Sequence, residues 1–500
     1  MITEASAPAA ATRATTDLRD WLARVEALGQ LKRLEGAHWD LELGGISELM
    51  HRRPNPQALL FDAISGYPRG RRVLTNMLGT VQRLALTTGT DPALTPLQYV
   101  EAWRHKIAQI TPIEPEQRAD GPVLQNVREG AAVNLLEFPV PRWHEHDGGR
   151  YIGTACLVIT RDPEDDWVNV GTYRVMVHDE RTLGCNISPG KHGRIQRQKY
   201  LERGEPCPVA MSFGQHPLLF LAACTDIPYR MNEYAWVGGV LGEPVPVIPG
   251  PRTGLPIPAY AEIAIEGAIL PDATRPEGPF GEWTGYYASG QKTEPLIRVD
   301  AVYFRNDPIL TGQPPFPPSE SVEYTQWLWR AAVLWNQIEA AGVPDVKAVR
   351  VHPSGGRFLV AIAIRQRYPG HAKQAALVAS QCRAGAYMGR YVIVVDDDID
   401  IYDTDQLLWA LATRSDPAQD IDIIRRAWSG PLDPAIPPGQ KGFNSRAIID
   451  ATKPFEWKDQ FPLVSAITAE QQADVERRWS HLFDAAGRPA PAEALQSVGR

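Results

Sequence analysis

Residues 277–287 read Glu-Gly-Pro-Phe-Gly-Glu-Trp-Thr-Gly-Tyr-Tyr and lie between two runs of residues that are typical of β-strands. Glycine and proline disfavour helix, so this segment predicts an irregular loop. The loop carries two carboxylates, Glu277 and Glu282, beside aromatic side chains. A carboxylate that apolar groups shield from water has a raised pKa and can hold a proton at neutral pH. The same pattern also fits a turn-rich loop with two solvated glutamates, so the rest of the chain has to distinguish these interpretations.

The composition of the 500-residue chain predicts two or three domains, because 44% hydrophobic residues can form several cores. The formal net charge of −8 gives no basic surface for nucleic acid. No apolar run approaches the roughly 20 residues that a membrane span requires. The five cysteines form no CxxC pair, which argues against a disulfide framework or a zinc knuckle. The N-terminus has no signal-peptide pattern, so we expect a cytoplasmic protein with a flexible tail at 1–16.

The N-terminal region, 17–122, predicts an α/β domain. We expect its first helix at 17–28, with Thr16 as the cap and Gly29 at the end. The other predicted elements of this domain are helices at 42–52 and 96–108, the second capped by Thr95, and strands at 58–61 and 72–75.

The central region, 123–318, predicts an antiparallel sheet or barrel. Turns that contain Gly, Pro, Asp and Asn separate its strand-like runs, which lie at 152–159, 167–177, 209–213, 263–269 and 297–304. The region contains no GxGxxG motif and no Walker loop, so it supports neither a Rossmann cofactor site nor a P-loop.

The remainder of the chain predicts a linker helix over 319–342 and a second α/β domain at 343–460. The elements predicted in this domain are strands at 346–352, 358–364 and 391–395 and helices at 371–384 and 404–413. From about residue 416 the chain is rich in proline and predicts irregular structure. A last helix is predicted at 469–483, within a C-terminal segment 461–500 that ends in a tail.

Three polar side chains in the central region are candidates for a binding site. Asn169 opens the run Asn-Val-Gly-Thr-Tyr-Arg, His192 follows the basic Lys191, and Glu233 enters an apolar segment. Taken singly, each also fits a structural role: a polar strand edge, a loop histidine and a carboxylate at a helix start. Together, an amide, an imidazole and a carboxylate suit Mn²⁺ or Mg²⁺ better than Zn²⁺. Their spacing does not show whether they converge.

Two further clusters favour structural roles. The aspartates at 396–398 and 400 follow a buried strand, where a turn and a helix cap commonly use this residue. His144 and His146 lie near prolines and lack a third ligand, which favours a loop over a metal site.

Four motifs occur in the order and approximate spacing of the UbiD family. They are Asn-Val-Gly-Thr-Tyr-Arg at 169–174, Lys-His at 191–192, Asn-Glu at 232–233 and Glu-Gly-Pro-Phe-Gly-Glu at 277–282. The chain also resembles this family at 258–267, 370–373, 394–399 and 450–452, so the resemblance covers most of the sequence. Members of the family are reversible decarboxylases that use prenylated flavin mononucleotide (prenylated FMN).

The resemblance implies a multidomain α+β and α/β fold. A central split β-barrel at 123–318, related to flavin reductases, would bind prenylated FMN between the N- and C-terminal α/β domains, which a long helix joins. The C-terminal domain, 343–460, would form the contact of a homodimer.

The resemblance also implies a cofactor site. Asn169, His192 and Glu233 match the family's metal ligands, so Mn²⁺ (or Mg²⁺) would hold the flavin phosphate, with K⁺ nearby. The positions that match cofactor contacts are Asn169, Thr172, Tyr173, Arg174, Lys191, His192 and Glu233. Arg446 falls where the family often carries a lysine near the phosphate, and Lys441 is the alternative. A flavin prenyltransferase would be the maturation partner.

Arg174, Glu277 and Glu282 match the family's catalytic set. The implied reaction is reversible loss of CO₂ from an aromatic, heteroaromatic or α,β-unsaturated acid through a covalent adduct with the flavin. Glu282 would donate the proton, and Arg174, paired with Glu277, would orient the substrate carboxylate. Trp283 favours a flat aromatic acid, and an inward-pointing Lys191 would favour a second anionic group.

The residues alone are also compatible with two other reactions. One is a flavin-dependent oxidoreduction on a related barrel, although hydride transfer does not need an acid paired with an arginine. The other is hydrolysis with Glu277 and Glu282 as acid and base, although the expected run of sugar-stacking aromatics is missing.

Overall fold

The computed structural model describes residues 17–225, 227, 230–317, 326–437 and 439–482. The chain divides into two compact units, Met1–Gln326 and Trp327–Arg500. The predicted tail at 1–16, the start of the linker helix at 319–325 and the tail at 483–500 lie outside the described residues. Within the described ranges, no helix is long and apolar enough to cross a membrane.

The first unit contains seven α-helices within its described residues. They are α1 Leu18–Ala27, α2 Glu42–His51, α3 Val81–Thr88, α4 Pro96–Ala108, α5 His192–Glu202, α6 Pro217–Cys224 and α7 Glu233–Leu241. The three predicted N-terminal helices, α1, α2 and α4, agree with the prediction to within a residue or two, whereas α3 was not predicted. Thr95 caps α4 as expected. The predicted cap of α1 is wrong, because Asp17, not Thr16, accepts the backbone N–H of Arg19.

The strands of the first unit form three sheets. They are β1 Leu31–Glu35, β2 Ala58–Asp62, β3 Arg72–Thr75, β4 Glu116–Gln117, β5 Asn126–Glu129, β6 Arg150–Gly153, β7 Leu157–Arg161, β8 Val168–Gly171, β9 Val175–Val177, β10 Thr182–Cys185, β11 Cys207–Phe213, β12 Pro246–Pro249, β13 Pro256–Pro258, β14 Ile263–Glu277, β15 Lys292–Phe304 and β16 Ile309–Thr311. The largest sheet is antiparallel and has nine strands, in the order β6-β9-β10-β15-β14-β11-β7-β8, with β5 paired to β15. A four-stranded sheet, β1-β2-β3-β16, and a small sheet, β13-β12-β4, accompany it.

The long hairpin of β14 and β15 fixes the position of the loop at 278–291. β14 is buried from Ile263 to Ile269, becomes more exposed over the next residues, and ends at Glu277, which is again fully buried. A register shift at Gly267 kinks the pair, and a Cβ there would lie 2.0 Å from the carbonyl oxygen of Arg298. Only glycine fits such a close approach. The strand therefore delivers one carboxylate back into the interior.

A single apolar core joins the two larger sheets of the first unit. Leu59 and Phe61 of β2 belong to the same buried cluster as Val158 of β7, Ile265 of β14 and Phe304 of β15. The N-terminal sheet therefore supports one face of the nine-stranded sheet.

The second unit has a five-stranded sheet in the order β17-β18-β19-β21-β20. Its strands are β17 Val346–Val351, β18 Leu359–Ile364, β19 Tyr391–Asp396, β20 Ile421–Trp428 and β21 Phe443–Asp450. Its helices are α8 Gln326–Ala340, α9 His371–Gln381, α10 Arg383–Ala386, α11 Thr404–Arg414 and α12 Ala469–Arg478. The central pairs are parallel and both edge strands are antiparallel.

The prediction of irregular structure from residue 416 is wrong, because β20 and β21 lie there and pair with each other. The proline-rich segment between β20 and β21 had dominated the sequence pattern, so the alternation of apolar and polar residues in the two strands was missed. The structural role predicted for the aspartate cluster is confirmed, since Asp398 binds Arg414 in two hydrogen bonds and pairs with Lys453 at 2.8 Å.

A buried carboxylate ties α1 to the nine-stranded sheet. Glu262, just before β14, is fully buried and accepts hydrogen bonds from Arg19 Nε at 2.7 Å and Arg19 Nη2 at 2.8 Å. Arg305 Nη1 lies 3.3 Å from the same carboxylate. An ionised carboxylate in this position needs both cations, because burial without a partner is costly.

We therefore expect Arg19→Ala to lower the free energy of unfolding by about 2 kcal/mol, since only Arg305 would remain to pair with Glu262. The matched control is Arg33→Ala, which removes a bidentate pair with Glu26 at the surface. That control should cost about 1 kcal/mol or less. Urea denaturation of the full chain measures both, and equal effects would contradict this role for Glu262.

Candidate functional site

Arg174 lies between Glu277 and Glu282, the two carboxylates of the segment 277–287. Its Nε and Nη2 donate to the two oxygens of Glu277, each at 2.8 Å, in a bidentate pair. Its Nη1 donates to Glu282 Oε1 at 2.6 Å. The three side chains that were predicted to act together are therefore in direct contact.

Three different backbone elements bring this cluster together. Arg174 lies in the break between β8 and β9, Glu277 is the last residue of β14, and Glu282 is in the loop before β15. The predicted single strand at 167–177 is divided into these two strands, so the expected alternation of side chains stops at Gly171. The break allows Arg174 to reach across to the end of β14.

The loop that carries Glu282 is anchored at its two ends. Gly148 N donates to the carbonyl of Pro279 at 2.8 Å, and a Cβ on Gly148 would lie 2.1 Å from the carbonyl oxygen of Gly278. On the other side of the loop, Tyr287 donates its hydroxyl to Asp147 at 3.0 Å. The segment with His144 and His146 thus holds the loop, in agreement with the structural role predicted for it. No group of three or more His, Cys, Asp or Glu among the described residues could hold a metal ion.

The pKa values of Glu282 and Arg174 are both raised in this cluster. Burial raises the pKa of Glu282, and the charge of Glu277 adds to this, while Arg174 and Ser289 oppose it without cancelling it. Burial lowers the pKa of Arg174, but the hydrogen bond to Glu277 and the charges of both glutamates outweigh burial and leave that pKa raised. Arg174 therefore stays charged, and Glu282 has an increased affinity for a proton.

Two residues of this cluster were missed from the sequence. Tyr151 donates its hydroxyl to Glu277 Oε1 at 3.2 Å, and its ring packs on Phe280 with centroids 4.1 Å apart. Ser289 contacts both Arg174 and Glu282. Neither residue lies in a recognisable motif. The sequence around Tyr151 is typical of a core aromatic, and only the position of Ser289 in the same loop as Glu282 could have indicated its role.

A second polar group lies around β8. Asn169 is on the strand itself, and Glu233, the first residue of α7, accepts the backbone N–H of Val170 at 2.9 Å. His192, the first residue of α5, packs beside Trp167, which directly precedes β8, with ring centroids 4.9 Å apart. The structure therefore places all three predicted metal ligands next to one short strand.

This group fits a divalent cation. Burial raises the pKa of Glu233 to about 7, so a nearby positive charge would favour its ionised form. The buried amide of Asn169 lies beside the Tyr173 hydroxyl, and its oxygen is an acceptor of the kind that hard metal ions bind. One carboxylate, one amide oxygen and one imidazole form the hard donor set that Mn²⁺ or Mg²⁺ accepts.

The same region also fits an anionic phosphate. α5 begins at His192, and its N-cap residue Lys191 makes no side-chain capping hydrogen bond. The positive end of the helix dipole at this point favours a nearby anion. The Tyr173 ring packs against Gly171 and Gly193, and its hydroxyl accepts the backbone N–H of Gly193 at 3.3 Å. Thr172, the residue before it, donates its backbone N–H to Ala223 at the end of α6. These residues lie close to the start of α5 and to α6, and their contact with a cofactor stays a prediction.

The hydrogen bonds of the Arg446 side chain stay within the second unit. Arg446 lies on β21 of the second unit, and its guanidinium donates to the backbone carbonyls of Ser380, Gly385, Ala386 and Trp428. The alternative, Lys441, donates to the carbonyl of Asp433. These carbonyl groups occupy both terminal nitrogens of Arg446, a use of arginine that the sequence does not reveal. A phosphate contact by Arg446 or by Lys441 stays a prediction.

Comparison with known proteins assigns the chain to a family. Three domains of 3-octaprenyl-4-hydroxybenzoate carboxy-lyase match it: the N-terminal domain at 22–103, the Rift-related domain at 115–317 and the C-terminal domain at 323–451. The chain belongs to the UbiD family. Members of this family are carboxy-lyases, so the predictions of family and enzyme class are confirmed.

Curated relatives in the UbiD family are similar over nearly their whole length. A phenolic acid decarboxylase from Sedimentibacter hydroxybenzoicus is 33% identical over 449 residues, which cover 88% of this chain and 92% of the relative. A pyrrole-2-carboxylic acid decarboxylase from Pseudomonas aeruginosa is 32% identical over 468 residues, with the same coverage of both chains.

Solved UbiD-class structures share the fold. The closed form of vanillic acid decarboxylase from Sedimentibacter hydroxybenzoicus has a TM-score of 0.81 and 30% identity, covering 95% of this chain and 100% of that one. An evolved dimeric form of HmfF from Pelotomaculum thermopropionicum, in complex with prenylated FMN, has a TM-score of 0.77 and 28% identity, covering 90% and 97%. The multidomain α/β fold with a central antiparallel sheet is therefore confirmed.

The packing of Tyr173 gives a test of the cofactor region. A Cβ on Gly171 would lie 2.4 Å from the Tyr173 hydroxyl, so Gly171→Ala should displace this ring. We expect FMN affinity to fall about 10-fold or more, since overpacking of this kind costs about 1–3 kcal/mol.

The control is Gly45→Ala, because a Cβ on this helical glycine meets nothing within 4 Å. Flavin fluorescence titration measures the affinity, and circular dichroism checks that both variants are folded. Unchanged FMN affinity in Gly171→Ala would contradict the assignment of Tyr173 to the cofactor site.

Proposed function

We propose that the protein catalyses reversible, non-oxidative decarboxylation of an aromatic, heteroaromatic or α,β-unsaturated carboxylic acid, with Glu282 as the proton donor. The observation that carries this proposal is the buried Arg174 guanidinium, shared by Glu277 and Glu282. Such a cluster provides a fixed cation for a carboxylate substrate together with a proton-holding acid beside it.

Arg174 binds and orients the substrate carboxylate in this proposal. Among the described residues its guanidinium donates hydrogen bonds to the two glutamates and Ser289, so a substrate carboxylate has to compete with Glu282 for Nη1. Glu277 keeps its two parallel hydrogen bonds and partly neutralises the arginine. A weaker hold on the substrate carboxylate favours departure of CO₂, because strong ground-state binding would slow that step.

Protonation of Glu282 is coupled to substrate binding by charge. With both glutamates ionised, the cluster carries one net negative charge, and an anionic substrate would bring a second into a buried site. A proton on Glu282 removes this repulsion and frees Nη1 for the substrate. The acid is then in its proton-carrying form when CO₂ leaves.

The cofactor site proposed for this chain holds prenylated FMN. Asn169, His192 and Glu233 would hold Mn²⁺ or Mg²⁺ at the flavin phosphate, and Thr172, Tyr173, Arg174 and Lys191 would contact the cofactor. When bound, prenylated FMN would supply the covalent electron sink that no side chain provides. K⁺, a flavin prenyltransferase partner, a homodimer through the second unit and a cytoplasmic location stay predictions from the family resemblance.

The substrate class follows from the relatives and from the loop. Relatives named for phenolic, pyrrole-2-carboxylic and vanillic acids support a flat aromatic or heteroaromatic acid. Trp283, next to Glu282, supplies an indole for stacking on such a ring. Lys191 is the residue that would meet a second anionic or phenolic group.

The hydrolase alternative is not favoured by the geometry. Glu277 is fully buried and holds Arg174 through both oxygens, so it is not available as a general base toward water. The cluster also supplies an acid that oxidoreduction does not require.

We expect Glu282→Gln to lower CO₂ release at least about 100-fold while prenylated FMN still binds, because the amide cannot donate the proton. The assay screens aromatic and acrylic acids with enzyme co-produced with a flavin prenyltransferase. In the parent the rate should fall as pH rises through the raised pKa of Glu282, since the acid form is lost above it.

The control for this substitution is Glu205→Gln, which makes the same change at an exposed position. Retained cofactor is confirmed by the flavin absorption spectrum of the purified variant. Normal turnover in Glu282→Gln would show that another group donates the proton.

A further inference from the structure

Ser289 is the one hydroxyl in contact with both Arg174 and Glu282 among the described residues. Its Oγ lies 3.1 Å from Arg174 Nη1 and 2.9 Å from Glu282 Oε1. An arginine N–H can only donate, so the serine oxygen accepts from Arg174. The single hydroxyl proton of Ser289 is therefore directed at Glu282.

The two oxygens of Glu282 are placed in different surroundings by these contacts. Oε1 accepts from both Arg174 Nη1 and Ser289 Oγ, whereas no hydrogen bond from a described residue reaches Oε2. An oxygen that already accepts two donors is a poor site for a further proton. A proton that Glu282 gains is therefore favoured on Oε2.

We propose that Ser289 is a positioning residue for the decarboxylation, whose hydroxyl bridges Arg174 and Glu282 and directs the transferable proton to Oε2. This inference rests on the proposed function. In the reaction, the electron pair of the broken carbon–carboxylate bond forms the new C–H bond with the proton from Oε2. Glu282 is left as a carboxylate, which Arg174 and Ser289 stabilise, and it regains a proton from water.

The surroundings of Glu282 define what Ser289 can change. The charged groups that face Glu282 are Arg174 and Glu277, and Tyr151 lies behind Glu277. Asp147 and Tyr287 hold the base of the same loop. Removing the Ser289 hydroxyl leaves all these charges in place and removes one donor to the ionised carboxylate, so the affinity of Glu282 for its proton should increase.

The test is an infrared pH titration of the cofactor-free chain. The carboxylic acid band of Glu282 is assigned by its absence in Glu282→Gln. We expect Ser289→Ala to raise the midpoint of this band by about one pH unit, the size of a lost hydrogen bond to a charged group. Ser289→Cys, which keeps the size but donates weakly, should raise it less, and Ser289→Thr should restore the parent midpoint.

Thr284→Val is the matched control. It removes a buried hydroxyl of the same loop, and this hydroxyl has no hydrogen-bond partner among the described residues. Its midpoint and pH–rate profile should equal those of the parent. In the loaded enzyme, the basic limb of the pH–rate profile should shift upward in Ser289→Ala by the same amount as the infrared midpoint.

An unchanged infrared midpoint in both Ser289→Ala and Ser289→Cys would overturn the proposal and leave Ser289 as a structural anchor of the loop. Failure of the proposed function has a different signature. In that case the loaded parent releases no CO₂ from any acid, while the infrared titration of the cofactor-free chain still reports on the contact between Ser289 and Glu282.

Discussion

The guanidinium of Arg174, held by two carboxylates, is the interaction on which the rest of the site depends. Each partner comes from a separate part of the first unit: the break after β8, the end of β14 and the loop before β15. A buried cation requires such partners, and buried carboxylates require the cation. Pairing of the buried cation with the two buried carboxylates therefore holds the three segments in one arrangement. The apolar core behind the sheet fixes the strands that carry them.

The same interaction assigns different roles to two identical side chains. Glu277 accepts from Arg174 with both oxygens and also accepts from Tyr151, so each of its oxygens has a donor. Glu282 has one oxygen bound and one without a described donor, and burial raises its pKa. A cluster of one cation and two carboxylates that has to take up one proton will take it up at the less satisfied carboxylate. In the proposed function, this difference makes Glu282 the acid and Glu277 the partner that anchors Arg174.

The sequence predicted the parts of the site that lie in short motifs. Arg174, Glu277 and Glu282 were expected to meet, and the contacts are present; the three predicted metal ligands lie around β8. Helices such as α1, α4 and α11 were also expected within a few residues, because their apolar periodicity is strong, whereas α3, α5 and α6 were not predicted. The break at 172–174 was not expected, since a local alternation pattern does not show where a strand bends to serve a site.

Other features could not be predicted because they depend on packing across the chain. Ser289 and Tyr151 have no motif, and only contact with the glutamates gives them a role. Arg446 resembled a phosphate ligand by position, yet its donors satisfy backbone carbonyls inside the second unit. The pair β20 and β21 was hidden by the proline-rich segment between them, since composition dominated a weak alternation.

The central claim is that Glu282 takes up a proton as an acid substrate binds at Arg174. Calorimetry in buffers of different ionisation enthalpy measures this directly, with protein that carries unmodified FMN so that binding occurs without turnover. Above the raised pKa of Glu282, we expect the parent to take up about one proton for each aromatic acid bound, and Glu282→Gln to take up none. Binding without proton uptake, or equal uptake in both proteins, would contradict the account.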